Sequence, residues 1–215
     1  MKSSHLYSSS MKRLFLTMLL FNMLFTTATA QIFPVDTARL NKTFAALEKE
    51  PQNERLQHDF FNAFPSCWND FNFTYRYCDQ DGFDLSMYSQ AYEHILALGK
   101  CTAINDTLFC DRLIALSVGA TLDADAPNYL QELLHNTMQQ RNDVFMDCLS
   151  KIRKGHQMLF WQFYWSSITD NPDTKEEYIR LYERNKTEYP DLMKTMSIAF
   201  DYFNNGVDFI SEQMQ

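Results

Sequence analysis

Five aromatic side chains, Phe160, Trp161, Phe163, Tyr164 and Trp165, fall within six positions of the stretch GHQMLFWQFYWSSI, Gly155–Ile168. On a helix of 3.6 residues per turn, Phe160, Tyr164 and Ile168 make one stripe. Leu159, Phe163 and the flanks of Trp161 and Trp165 cover most of the remaining surface. A helix that is apolar nearly all round must be buried, in a core or in a membrane. A membrane span needs about 20 apolar residues, and this run is roughly half that and carries Gln157 and Gln162. The stretch is therefore read as the central helix of a globular core, where each fully buried ring contributes about 1.5–3 kcal/mol. The competing reading is an aromatic pocket for an apolar or sugar ligand; core packing is the commoner use of such a stripe.

The rest of the chain agrees with a helical fold. It has only four Val and nine Ile and no sustained alternation of polar and apolar residues, so strands are not expected. The five Gly fall just after, or near the end of, apolar-periodic runs, and the six Pro fall before, at the starts of, or between them. Asp36, Asn53, Asp106, Asp125 and Asp173 stand where helix N-caps are wanted, and Pro127 and Pro190 suit first turns. Helices are predicted from Asp36 to Glu50, from Asn53 to Pro65, over 66–77, 86–98 and 107–118, from Asp125 to Gln140 and over 142–154. The aromatic helix, a charged helix from Asp173 to Tyr189 and a last one from Pro190 to about Asn205 follow. The expected fold is all-α, a single-domain irregular bundle of about nine or ten short helices around the aromatic one. No fixed-period repeat favours a solenoid.

Residues 1–30 read as a secretory signal. A basic, polar segment to Arg13 precedes the apolar run Leu14–Phe25, and Ala28-Thr29-Ala30 is an A-x-A cleavage site. Met11 offers a second start. The expected product is a helical domain over 31–215, exported to the periplasm or outside the cell. Cleavage removes Lys2, Lys12 and Arg13 and no acidic residue, so the formal charge moves from −8 to −11. Such a charge disfavours nucleic acid and anionic lipid and suits a basic partner. No second apolar run is long enough to span a bilayer.

Five cysteines follow the signal: Cys67, Cys78, Cys101, Cys110 and Cys148. An exported chain permits disulfides, and an odd count leaves one unpaired. Cys101 and Cys110 flank a short interhelix loop and are the preferred pair. Cys67 and Cys78 would lie roughly 16 Å apart on one continuous helix and cannot be joined unless the chain turns between them.

Several groupings carry polar chemistry. Glu132 and His135, three apart on a helix, face one way as a di-iron carboxylate site requires, but no second E-x-x-H accompanies them. Asp79, Asp81 and Asp84 around Gly82 resemble part of a calcium loop, in a register that does not match an EF-hand. Asp123 and Asp125 place two carboxylates in one loop, where desolvation of either would favour acid–base work. His94, His135 and His156 are the imidazoles a site would draw on. No nucleophile motif, Gly-rich phosphate loop or zinc-type cysteine spacing occurs, so no metal or cofactor is expected. Asn41, Asn72, Asn105 and Asn185 head N-x-T sequons, and Asp36-Thr37-Ala38 and Asp106-Thr107-Leu108 resemble the acceptors of a Gram-negative O-glycosylation system.

These features favour a protein- or peptide-binding module over an enzyme, either of an inhibitor or immunity type that covers a basic surface or one that interacts within the cell envelope. The alternative is a small-ligand carrier or enzyme with an aromatic pocket around Phe160–Trp165. The candidate contact residues are Trp161, Tyr164, Trp165, His135, His156, Asp123 and Asp125.

Overall fold

A computed structural model describes residues 35–77, 87–122, 124–166 and 173–205. The signal-peptide reading, the calcium-like loop, Cys78 and Asp123 lie outside these residues. Ten α-helices and no strand occur among the described residues, an irregular helical bundle with an aromatic centre.

Helices α1 (Thr37–Lys49) and α2 (Glu54–Ala63) start as their caps predict: Asp36 accepts from Arg39 N at 2.9 Å and Asn53 from Leu56 N at 3.3 Å. Pro65 separates α2 from α3 (Trp68–Tyr75). A 3₁₀ turn, Tyr88–Gln90, runs into α4 (Ala91–Gly99). Helix α5 (Asp106–Ser117) is capped by Asn105, whose side chain accepts from Thr107 N and Leu108 N, rather than by Asp106 as expected. Gly119, at φ +78°, takes the left-handed turn after α5 that favours a residue without Cβ.

Helix α6 (Asp125–Gln140) has no side-chain cap. Asp125 is its first helical residue and accepts instead from the Tyr88 hydroxyl at 2.5 Å, so its expected capping role is corrected. Then come α7 (Asn142–Lys151), α8 (Lys154–Trp165), α9 (Asp173–Asn185) and α10 (Pro190–Asn205). The predicted run over 142–154 stops at Lys151, because Gln157 Nε2 reaches back to the carbonyls of Leu149 and Ile152, each at 3.2 Å, and closes the helix. Helix α9 stops four residues before Tyr189. The Asn185 amide bonds Leu181 O at 2.8 Å and exchanges two bonds with Asn142 of α7, and both amides are buried.

The core has two aromatic clusters. Phe160, Trp161, Phe163, Tyr164 and Trp165 of α8 are each 1% exposed or less, which bears out the core reading of that stretch. Helix α8 packs along α10 and also against α5 and α6. Trp165 meets Phe200 edge-on at 5.1 Å, and Phe160 meets Phe145 of α7 at 5.7 Å. The second cluster joins α1, α2, α3 and α4 through Phe44, Phe60, Phe64, Phe71, Tyr75 and His94. Trp68 bridges the clusters, 5.8 Å from Phe71 and 6.4 Å from Phe163.

The expected Cys101–Cys110 disulfide is not formed. Cys67, Cys101, Cys110 and Cys148 are all thiols. Cys101 turns toward Ala97 O (3.4 Å) and Gln57 O (4.0 Å), and Cys110 is fully buried on α5. Of the sequons, Asn185 is buried in its amide pair, whereas Asn105 is exposed and uses its Oδ1 as a cap.

Candidate functional site

The three histidines singled out in the sequence occupy three separate surroundings. His94 is completely buried, shares a 3.0 Å hydrogen bond through Nδ1 with the Tyr75 hydroxyl, and is ringed by Phe44 and Phe60. Burial, opposed by Glu93, pulls it from an ordinary 6.5 to about 4, so it is a neutral core imidazole at physiological pH. Its Nε2 has no partner among the described residues. His156 is exposed near the start of α8.

His135 belongs to a polar knot at the end of α8. Its ring stacks on Tyr164 at 4.0 Å. Nδ1 lies 3.0 Å from Glu177 Oε2, and Nε2 lies 3.0 Å from the Tyr164 carbonyl oxygen. The Tyr164 hydroxyl donates to Glu177 Oε1 at 2.7 Å. Burial works to raise the Glu177 carboxyl, but His135, Tyr164 and Arg180 together outweigh it and hold the group below its usual range. A carbonyl only accepts, so Nε2 of His135 donates to the Tyr164 carbonyl. The Gln131 amide completes the knot by donating to Phe163 O at 2.7 Å and to Ser166 O. These groups satisfy the last carbonyls of α8. The arrangement holds a helix end; both imidazole nitrogens, the Tyr164 hydroxyl and both Glu177 oxygens already have a protein partner.

Trp161, Tyr164 and Trp165 face other rings. The two indoles stack at 6.0 Å, and their N–H groups lack a partner among the described residues. Asp125 is exposed and bound to Tyr88. Of the candidate residues of the sequence, Trp161, Tyr164, Trp165 and His135 therefore meet in one ring cluster, and His156 and Asp125 are not part of it. Glu132 and His135 part: Glu132 lines a surface cleft and His135 faces Glu177. Among the described residues, no three His, Cys, Asp or Glu side chains lie close enough to hold a metal ion. Nor, among them, is any helix long and apolar enough to cross a membrane.

The surface that does gather features is α4. Its sequence, AYEHILALG, is apolar on more than one side. Ala91, His94, Ile95 and Leu98 are buried, which leaves Tyr92 and Leu96, four apart, as an outward ridge. Tyr92 is 51% and Leu96 44% exposed. Clefts run along both sides of this ridge. One, of about 390 Å³, lies between α4 and α6, with Tyr129, Leu133 and Glu132 on the far wall and Phe109 among its lining residues. Tyr92 meets Tyr129 edge-on at 5.1 Å across it. Arg141 lies over the Phe109 ring at 4.8 Å and pairs with Asp106 at 2.9 Å. The other cleft, of about 280 Å³, is lined by Phe44, Leu47 and Pro51 on the α1 side. Leu96 and Lys100 line both. Glu48, Glu93 and Glu132, all exposed, bring three carboxylates to the rims. The helices meet closely at Gly99, where a Cβ would come within 2.8 Å of Leu133 Cδ1. Helical periodicity assigns the inward face of α4 and leaves Tyr92 and Leu96 without a role. The surplus of apolar residues in a short helix is the signal that would have pointed to this ridge.

A third, wider cleft of about 730 Å³ holds Cys67, Asp111 and His156 on its walls, without a hydrogen bond among the three. No protein-family model, curated protein or solved structure matches this chain.

Proposed function

We propose that the protein acts by binding another polypeptide across α4, and that the partner segment is cationic and amphipathic. The observation that carries this reading is the exposed Tyr92–Leu96 ridge standing between two clefts. Contiguous apolar surface rimmed by polar groups marks an interaction site, and an aromatic residue beside a ligand-sized groove is a usual anchor for a peptide. Apolar side chains of the partner enter the clefts on either side of Leu96, and its Lys or Arg residues meet Glu48, Glu93 and Glu132. The formal charge of −8 for the whole chain, or −11 without residues 1–30, favours the same partner through long-range attraction. An exported inhibitor or immunity-type protein that covers a basic surface is the role in keeping with these features. The ligand-pocket alternative needs the α8 rings to line a cavity, whereas they pack on one another.

The test is calorimetric titration with an amphipathic Leu/Lys helical peptide and its Leu/Glu counterpart. Binding of the basic peptide, weakened tenfold or more by the double change Tyr92→Ser and Leu96→Ser and weakened again by salt, is the expected result. Equal binding of the two peptides, or an unaffected double variant, overturns the proposal.

A further inference from the structure

Helices α5 and α7 pack directly against each other, and each carries a buried cysteine, Cys110 and Cys148. Cys148 Sγ lies 3.8 Å from the carbonyl oxygen of Thr107. Thr107 is one turn before Cys110, and a helical side chain leans back over the carbonyls three and four residues earlier. The Cys110 side chain therefore sits over the same carbonyl that Cys148 touches. Asp111, the next residue of α5, also stands beside Cys148, so the Cys148 sulfur is bordered on α5 by Thr107, one turn before Cys110, and by Asp111, just after it, and Cys110 itself is near enough to act on it.

We infer that Cys110 and Cys148 form a disulfide when the chain folds in an oxidising compartment, tying α5 to α7. Two thiols lose two protons and two electrons; the electrons pass to a disulfide of the small-molecule or protein type, which leaves as two thiols. Burial, joined for Cys148 by Asp111 and Cys110, pushes Cys110 up to about 11 and Cys148 to about 12, so the folded dithiol is a poor nucleophile. The bond forms during folding, before the pair is enclosed, and is then protected from reduction. The other described cysteines do not compete. Cys101 is held by the carbonyls of Ala97 and Gln57, and Cys67 lies on the wall of a cleft that neither Cys110 nor Cys148 lines.

The consequence reaches the α4 surface. Phe109, next to Cys110, lines the larger cleft, and Arg141 over it leads directly into α7. A bond between α5 and α7 holds that lining in place.

The full chain is refolded from the reduced, denatured state in a mixture of oxidised and reduced glutathione, and digested with trypsin without reduction. Cleavage after Lys100, Arg112, Arg141 and Lys151 yields peptides 101–112 and 142–151. The expected product is these two joined, two hydrogens lighter than their sum. Fragmentation places the link at Cys110, and the link persists in Cys101→Ser and Cys67→Ser variants. Reduction of the folded protein lowers its melting temperature by several degrees. Free thiols or glutathione adducts at Cys110 and Cys148, or a link from Cys148 to any other cysteine, overturn the inference.

Discussion

Arg112 shows how single side chains hold this bundle. Its Nη1 donates to the carbonyls of Phe61, Phe64 and Pro65, each at 3.1 Å, and the guanidinium lies 4.4 Å from the Phe61 ring centre. It closes the end of α2 where Pro65 forbids further helix. Bonds from a charged donor contribute about 1.5–3 kcal/mol, so Arg112→Met is expected to cost about 2–3 kcal/mol in urea denaturation. Arg112→Lys, whose ammonium is not planar and does not stack, recovers only part of the loss. The His135–Glu177 pair makes a second case. A double-mutant cycle with His135→Gln and Glu177→Gln is expected to give a coupling of about 1–3 kcal/mol; additivity within the error would show that the contact contributes nothing. These residues also mark what the sequence conceals. Asp36 and Asn53 are legible as caps because a cap binds its own chain three residues on. Arg112, Gln131, His135 and Gln157 satisfy the ends of α2, α8 and α7. For three of the four the reach is 29 to 51 residues, and no local pattern announces such a bond.

Elements were legible where one periodic stripe met one cap, and less so where a helix served two surfaces. Helix α8 is the clear case: five rings in six positions predict burial, and all five are buried. Helix α4 is the opposite case. Ile95 and Leu96 are adjacent and similar in type, yet Ile95 is 3% exposed and Leu96 44%. The contrast gives a direct test at this scale. Ile95→Ala is expected to destabilise by about 2–5 kcal/mol through the cavity it leaves. Leu96→Ala should stay within about 0.5 kcal/mol, as for other surface changes. A comparable loss at both positions would mean that α4 is not oriented with Leu96 outward. The Cys101–Cys110 expectation failed for a related reason. Flanking a loop puts two residues near each other in the chain, but Cys110 is buried within the helix that starts at Asp106, while Cys101 turns back to the carbonyls of Ala97 and Gln57.

At the scale of the whole molecule, acid stability tests whether the second aromatic cluster is built as described. His94 takes its proton at about 4 in the folded chain and at the ordinary 6.5 when unfolded. As pH falls below 6.5 the unfolded state binds the proton first, so stability is fully present above 6.5 and is lost progressively until pH 4. The complete loss is about 3 kcal/mol at 1.36 kcal/mol per unit, and about 1 kcal/mol of it falls between pH 7 and pH 5.5. Glu177 works in the same direction but lower. Its folded carboxyl lies below the ordinary 4.5, so its contribution is present above 4.5 and lost as pH falls through the folded value. Acid also neutralises carboxylates of an overall anionic chain, which relieves repulsion and opposes both effects. The window from pH 7 to 5.5 separates them, because Glu177 remains ionised throughout it and other titrating groups are common to wild type and variant. Urea unfolding of wild type and His94→Gln at those two pH values therefore isolates one group. The wild type should lose about 1 kcal/mol more than the variant across the window. Equal slopes would place His94 in contact with water and remove the Phe44–Phe60–Tyr75 enclosure on which the packing of α1 against α2 and α4 depends.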